Sequence, residues 1–173
     1  MRHGEAENTI GEDSLRPLTI KGRLETEKMG FWLAHRKVEL MNVFVSPYLR
    51  AQQSCANVVE VLHKAPLLNK ISPKTLDFIT PSGNACQVHD FIDGLFQTHE
   101  DLYKEDNLDN NSVNKQAILF VSHMPFVSYL VGELTYTSNM PIFSTGAIAI
   151  IDYDIKKMKG QLVEMITPSN IHT

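Results

Sequence analysis

The sequence predicts a three-layer α/β/α sandwich around a mostly parallel central sheet. Short apolar, β-rich runs alternate with longer segments of helical periodicity along the chain. Two of the runs end in a sharp turn that leads directly into a helix, as in parallel sheets with crossover helices. The 173 residues show no internal repeat and no break in composition. They therefore predict a single domain over residues 1–173.

Charge and composition exclude several classes of function. The net charge of −4 and the pI of about 5.9 disfavour nucleic acid and anionic membranes as partners. No apolar run approaches the roughly 20 residues of a membrane span, and the polar amino terminus lacks a secretory apolar region. Cys55 and Cys86 fit no disulfide framework or metal spacing, so we expect reduced core thiols in the cytoplasm, with no metal or cofactor.

The first predicted helix follows a polar loop at residues 5–19. Pro17 restricts its own φ and favours an extended Arg16 before it. Thr19 is a suitable N-cap for a helix from about 20 to 36. The apolar face of this helix consists of Leu24, Met29, Trp32 and Leu33.

The first strand-turn-helix corner begins at the β-rich run 42–46. Pro47 ends the strand, and Ser46 at the N-cap with Pro47 at the first helical position predicts a new helix. Arg50 falls in the first turn of that helix, where free N–H groups and the helix dipole favour an anion. This corner is therefore a candidate anion site.

The middle of the chain predicts a strand at 75–79, which is ended by the turn residues 80–83. The next helix has apolar residues at spacings of three and four, namely Ala85, Val88, Ile92 and Leu95. Residues 103–115 are rich in Asp, Asn and Lys and predict a solvated loop.

The second corner follows the apolar run 117–121, which predicts a strand covered on both faces. His123 comes at the carboxyl end of this strand and just before another helix. Open α/β sheets bind ligands at that location. Residues 147–153 and 161–166 predict two closing strands joined by a turn.

Together the amino terminus, the loop before the first helix and the two corners supply three guanidiniums and two imidazoles. Such a set is suited to phosphoryl transfer, because an imidazole can act as the nucleophile while cations stabilise the phosphoryl oxygens. The set comprises Arg2, His3, Arg16, Arg50 and His123. The other histidines have no ligand spacing and are interpreted as surface or helix-face residues, namely His35, His63, His89, His99 and His172.

Several motifs in this order resemble one known family. They are Met1-Arg2-His3-Gly4-Glu5-Ala6, Arg16-Pro17-Leu18-Thr19 with Gly22, Ser46-Pro47-Tyr48-Leu49-Arg50, Thr80-Pro81-Ser82-Gly83, Val121-Ser122-His123-Met124-Pro125, Phe143-Ser144-Thr145-Gly146-Ala147 and Met165-Ile166-Thr167-Pro168-Ser169-Asn170. The pattern is similar to the histidine phosphatase superfamily, and most similar to its small SixA-type branch of phosphohistidine phosphatases. The resemblance spans nearly the whole chain.

The resemblance implies roles for individual residues. His3 would attack phosphorus and be phosphorylated transiently. The phosphate-binding residues would be Arg2, Arg16, Arg50 and His123, with Thr145 or the backbone near it also touching the site. The substrate would be a phosphohistidine-bearing protein, either a phosphotransfer domain of a phosphorelay or a phosphocarrier protein.

The proton donor is the point where the sequence departs from the pattern. The SixA-type branch commonly has Glu just before Leu-Thr-Pro, and Phe78 stands at that position here. The nearest carboxylate, Asp77, is the candidate donor, although strand alternation would turn it to the opposite face. Because a phosphohistidine leaving group is an imidazole with a pKa of about 6.5, it needs a weaker acid than an alkoxide does. We therefore favour phosphohistidine over two alternatives: a small phosphate ester as the substrate, or a non-catalytic phosphate-recognising module.

The start of the sequence carries one further expectation. In the family the Arg-His-Gly motif follows a short apolar strand in the middle of the sheet, but no residues precede Met1 here. We expect the first strand to be missing, the natural chain to begin upstream, and His3 to be anchored from one side only.

Overall fold

In the described part of the chain, four α-helices pack on the two faces of a short central sheet. The structure is a computed structural model that describes residues 1–8, 10–64, 71–100 and 116–171, without the side chains of 96–100 and 116. The predicted loop at 103–115, the side chain of His99 and the residue His172 lie outside that description. None of the helices in the described ranges combines the length and the apolar character needed to cross a membrane.

The elements follow the predicted alternation of helices and strands. In chain order they are α1 (Ile20–His35), β1 (Glu39–Val45), α2 (Leu49–Lys64), β2 (Lys74–Thr75), α3 (Ala85–Glu100), β3 (Gln116–Val121), α4 (Phe126–Thr135), β4 (Ile148–Asp154) and β5 (Lys159–Ile166). Two short 3-10 helices, Asp13–Leu15 and Pro168–Asn170, lie before α1 and after β5. As predicted, the Thr19 hydroxyl caps α1 by accepting from the Gly22 amide at 2.9 Å.

The sheet consists of a parallel part and an antiparallel pair. The parallel strands stand in the order β2-β1-β3, and β4 pairs antiparallel with β5. Residues 1–3 lie between the two parts at the carboxyl end of β3. The His3 amide donates to the Ser122 carbonyl at 2.9 Å, and the Gly146 amide donates to the His3 carbonyl at 3.0 Å. The expectation that His3 would be held from one side only is therefore wrong.

Strand alternation divides the core between the two faces of the sheet. In β1, Val43 and Val45 join a cluster with α1 and α2, whereas Phe44 joins a cluster with α3 and α4. β3 has the same arrangement, with Val121 on the first side and Phe120 on the second. The three-layer α/β/α prediction is thus confirmed, and the core encloses both corners that carry site residues.

Two predicted boundaries are wrong. α2 begins at Leu49 rather than at Pro47, because residues 47–48 form a bend. The Ser46 hydroxyl accepts from the Tyr48 amide in this bend at 3.4 Å and lies 2.7 Å from Nε2 of His123. The predicted strand at 75–79 is reduced to the two residues of β2, after which the chain turns at Asp77 and Phe78.

Two predicted exposures are also wrong, and one histidine predicted for the surface or a helix face is buried on its helix. Leu24 was assigned to the buried face of α1 but is 55% exposed. Cys86 is an exposed free thiol, whereas Cys55 is buried as predicted. His89 is buried on α3, where its ring bonds the Tyr153 hydroxyl at 2.8 Å and the Glu133 carboxylate at 3.2 Å. This buried polar cluster joins α3, α4 and β4 on the side of the sheet opposite α1 and α2.

Candidate active site

His3 lies at the centre of the site, and close backbone packing holds its segment. The Gly4 amide donates to the Ser54 hydroxyl at 3.0 Å. A Cβ atom on Gly4 would lie 2.3 Å from the Gly22 carbonyl oxygen, so only glycine permits this approach. The glycine predicted from the motif is therefore required by packing against the start of α1.

The contacts of the His3 ring determine its tautomer. Its Nδ1 atom is 2.6 Å from the Gly4 carbonyl oxygen, which can only accept a hydrogen bond. The Arg50 Nε atom, which can only donate, is 3.2 Å from Nε2 of the same ring. Nδ1 therefore carries the proton, and the Nε2 lone pair faces the guanidinium.

Burial keeps His3 neutral. The residue is 7% exposed, and this burial lowers its pKa to about 4. The charges of Arg50, Arg2 and Arg16 lower the pKa further, and the hydrogen bond to the Gly4 carbonyl opposes the shift. Neutral imidazole has the free lone pair that nucleophilic attack requires. His3 therefore keeps an unprotonated ring nitrogen across the physiological pH range.

His123 lies beside His3 at the second corner. The two ring centroids are 5.0 Å apart, and Nε2 of His123 is 2.7 Å from the Ser46 hydroxyl. The Tyr48 ring packs edge-on against His123 with centroids 5.0 Å apart. Burial, followed by the neighbouring His3 and Arg50, lowers the pKa of His123 to about 3, so this imidazole is also neutral.

Arg50 reaches the site from the first turn of α2, as predicted. Its residue is 4% exposed, and its outer nitrogens donate to the Asp13 carbonyl at 2.5 Å and to the Asp13 carboxylate at 2.9 Å. The same carboxylate accepts from Arg16 Nη1 at 2.9 Å. Both arginines are thus gathered around one residue of the loop before α1.

Arg2 contributes a third guanidinium from the segment between the two parts of the sheet. Its Nη1 atom donates to the Phe143 carbonyl at 2.6 Å. Among the described residues, neither the Arg2 Nε atom nor the His123 Nδ1 atom has a hydrogen-bond partner, although both atoms are buried. Buried polar nitrogens normally have partners, so these two nitrogens are suited to bind a ligand oxygen.

The remaining two candidates lie differently. The Thr145 hydroxyl donates to the Glu25 carboxylate at 2.9 Å, whereas the backbone around Thr145 contacts Arg2 and His3 through Phe143 and Gly146. Asp77 is exposed in the turn after β2, and within the described ranges it makes no hydrogen bond to the histidines or arginines of the site. The structure thus brings together five of the seven predicted side chains.

The assembled groups form a cationic pocket with two neutral imidazoles. Three guanidiniums can stabilise the charge of a phosphoryl group, and a lone pair on His3 faces the same space. Within the described residues, no group of three or more His, Cys, Asp or Glu side chains is arranged to hold a metal ion. The site is therefore suited to an oxyanion bound by guanidinium and imidazole nitrogens.

Comparison with known proteins decides the family. The chain is 34% identical over 171 residues to the phosphohistidine phosphatase SixA of Escherichia coli K12, which covers 99% of this chain and 93% of that protein. It is 32% identical over 162 residues to a SixA homolog of Haemophilus influenzae, with 91% and 88% of the two chains covered. The chain belongs to the SixA family.

The solved structures agree with this assignment to SixA. The protein histidine phosphatase SixA complexed with tungstate superposes with a TM-score of 0.80 at 34% identity, covering 98% of this chain and 96% of that one. A comparison with profiles of known protein families finds no match.

Sequence reasoning missed three polar residues of this SixA-family site. Asp13 joins Arg16 and Arg50, and Ser46 bonds His123 rather than capping a helix. The Glu25 carboxylate accepts hydrogen bonds from the Thr145 hydroxyl and from the Glu5 amide. Ser46 lies inside one of the motifs and Asp13 lies shortly before another. Their partners His123 and Arg50 are distant in sequence, so only the fold reveals these contacts.

Proposed function

We propose that this chain is a phosphohistidine phosphatase that removes the phosphoryl group from a histidine of another protein. The observation that carries the proposal is the His3 imidazole, whose Nε2 lone pair faces the Arg50 guanidinium inside a cationic pocket. This geometry leaves the nucleophile neutral and places a donor beside the atom that attacks.

The proposed reaction has two displacements at phosphorus. In the first, Nε2 of His3 forms a bond to phosphorus while the P–N bond of the substrate breaks, and the released imidazole takes up a proton. In the second, water attacks the phosphorus on His3, and inorganic phosphate leaves with Nε2 restored. Arg2, Arg50 and His123 would hold the phosphoryl oxygens in both steps, with Arg16 as a further donor.

The carboxylates near the site favour phosphohistidine over a phosphate ester. Asp13 is the carboxylate paired with the pocket's arginines, and its hydrogen bonds to Arg16 and Arg50 lower its pKa, which makes it a poor acid. Asp77 is exposed in the turn after β2 and makes none of the described contacts of His3. Both oxygens of the Glu25 carboxylate already accept hydrogen bonds, from the Thr145 hydroxyl and from the Glu5 amide. A leaving imidazole, with an ordinary pKa of about 6.5, can take its proton from solvent. An alkoxide leaving group requires a stronger donor.

The wider setting is also part of the proposal. The Escherichia coli relative is a phosphohistidine phosphatase, so we propose as partner a phosphotransfer domain of a phosphorelay or a phosphocarrier protein. The free Cys55 and Cys86 thiols support a reducing compartment, and we propose the cytoplasm. The whole chain, residues 1–173, would act as one domain.

The test is phosphate release from a purified phosphocarrier protein phosphorylated on histidine. Wild type should release phosphate and yield an acid-labile, alkali-stable phosphoenzyme, whereas His3→Ala should do neither. His35→Ala removes an exposed imidazole from α1 and should match wild type. Equal activity of wild type and His3→Ala would refute the proposal. Faster turnover of sugar phosphates would instead assign a small ester, and phosphate binding without turnover would assign a non-catalytic module.

A further inference from the structure

Asp13 accepts two hydrogen bonds from one edge of the Arg50 guanidinium. Its backbone carbonyl accepts from Nη1 at 2.5 Å, and its carboxylate accepts from Nη2 at 2.9 Å. A guanidinium is planar and rigid, so fixing two of its nitrogens determines the direction of the third. The third nitrogen, Nε, is the one that lies 3.2 Å from Nε2 of His3.

The same carboxylate binds a second cation. Its other oxygen accepts from Arg16 Nη1 at 2.9 Å, while Arg16 Nε donates to the Glu7 carbonyl at 2.7 Å. Two guanidiniums that converge on one pocket repel each other, and a carboxylate between them offsets that repulsion. Asp13 therefore ties the loop before α1 to the first turn of α2.

The different exposures of Asp13 and Arg50 indicate that Asp13 matters to the geometry of the site more than to folding stability. The Asp13 side chain is 53% exposed, whereas the Arg50 side chain is 5% exposed. Because water reaches the Asp13 carboxylate, its pairing with Arg50 contributes less to folding stability than a fully buried ion pair would. The direction of a buried guanidinium, in contrast, matters directly to an oxyanion that must contact it.

We infer that Asp13 is a positioning residue, which holds the guanidiniums of Arg16 and Arg50 in the arrangement that binds the phosphoryl oxygens and directs Arg50 Nε toward His3. The inference rests on the proposed function in that the oxyanion pocket is the site that Asp13 serves. A positioning role differs from that of an internal competitor. As a competitor, the Asp13 carboxylate would bind the arginines in place of phosphate and would be displaced when phosphate binds.

The test uses Asp13→Asn, which keeps the shape and the backbone carbonyl but removes the charge. Glu12→Gln is the matched control, because it removes the same charge one residue away, where the carboxylate accepts from the Ser14 hydroxyl. Orthovanadate binding is measured by titration calorimetry, and melting temperature is measured alongside. We expect Asp13→Asn to raise the vanadate Kd about tenfold, with Glu12→Gln within about twofold of wild type and both melting temperatures nearly unchanged.

Turnover of a phosphohistidine protein supplies a second readout. Asp13→Asn should lower kcat more than it changes KM, because the oriented guanidinium acts on the reacting phosphoryl group rather than on protein docking. In an Arg16→Gln background, the effect of Asp13→Asn should shrink, since one of the two positioned cations is already absent.

The contrary outcomes are distinct. A vanadate Kd that is unchanged in Asp13→Asn overturns the inference, and a lower Kd shows a competitor instead. Full additivity with Arg16→Gln also overturns the link between the two residues. Vanadate binding needs no phosphoprotein, so failure of wild type to hydrolyse phosphohistidine would refute the proposed function without deciding the role of Asp13.

Discussion

Acid should destabilise this protein well above the pH at which carboxylates titrate. His3 and His123 are buried, with pKa values lowered to about 4 and about 3. In the unfolded chain an imidazole has a pKa of about 6.5. Between pH 7 and pH 5 the unfolded state therefore binds protons that the folded state does not, and the free energy of unfolding must fall as the pH falls.

The magnitude follows from these values. At pH 5 the linkage factor for an imidazole with pKa values of about 6.5 unfolded and about 4 folded is roughly 30, and RT ln 30 is about 2 kcal/mol. The factor at pH 7 is close to one. Because His3 and His123 are 7% and 1% exposed, each should remove about 2 kcal/mol between pH 7 and pH 5. Carboxylates with lowered pKa values lose their contribution only below this window.

The assay is urea unfolding at pH 7, 6 and 5 for wild type, His3→Asn and His35→Asn. An asparagine amide at position 3 can still donate to the Gly4 carbonyl. His3→Asn should lose about 2 kcal/mol less than wild type over this range, whereas the exposed His35→Asn should retain the full loss. Burial also lowers the pKa of the Met1 amine to about 5, which acts in the same direction in every variant, so the difference between variants carries the test. Equal losses in wild type and His3→Asn would refute the reasoning.

Three further predictions concern single contacts. Ser46→Ala removes the hydroxyl 2.7 Å from His123 Nε2, and turnover of a phosphohistidine protein should fall about tenfold; an unchanged kcat would exclude Ser46 from the site. Tyr153→Phe removes a donor 2.5 Å from the buried Asp93 carboxylate and should lower the free energy of unfolding in urea by about 1–3 kcal/mol, unlike the same change at an exposed tyrosine. Gly22→Ala would place Cβ 2.0 Å from a backbone carbonyl oxygen and should destabilise by about 1–3 kcal/mol; a higher melting temperature would contradict it.

The parts of the fold that local rules govern could be predicted from sequence. Thr19 caps α1 through its hydroxyl, and Arg16 before Pro17 has the extended φ of −64° and ψ of 120° that the proline favours. The apolar run ending at Val121 forms β3, with core on both faces. In each case the determining interaction is between neighbours in sequence or is a periodicity of side chains.

The parts that failed depend on contacts between distant residues. Ser46 was predicted as an N-cap, which is its most frequent role before a helix. In the structure its hydroxyl forms a hydrogen bond with Nε2 of His123, 77 residues away. Asp13 was read as part of a polar loop, yet it binds Arg50, 37 residues away. His89 has no ligand spacing in sequence, and only the packing of α3 on α4 and β4 brings Tyr153 to its ring.

One physical cause connects the chemistry of the site with its sensitivity to acid. Three guanidiniums, from Arg2, Arg16 and Arg50, surround two imidazoles that burial keeps neutral. If both imidazoles were protonated, five positive charges would meet in one pocket, and the His3 Nε2 lone pair would be lost. The desolvation that makes His3 an available nucleophile therefore also makes the folded state unable to accept protons there. Acid should thus destabilise the fold through protonation of these imidazoles in the unfolded chain, at a pH where folded His3, with its pKa of about 4, still keeps its lone pair.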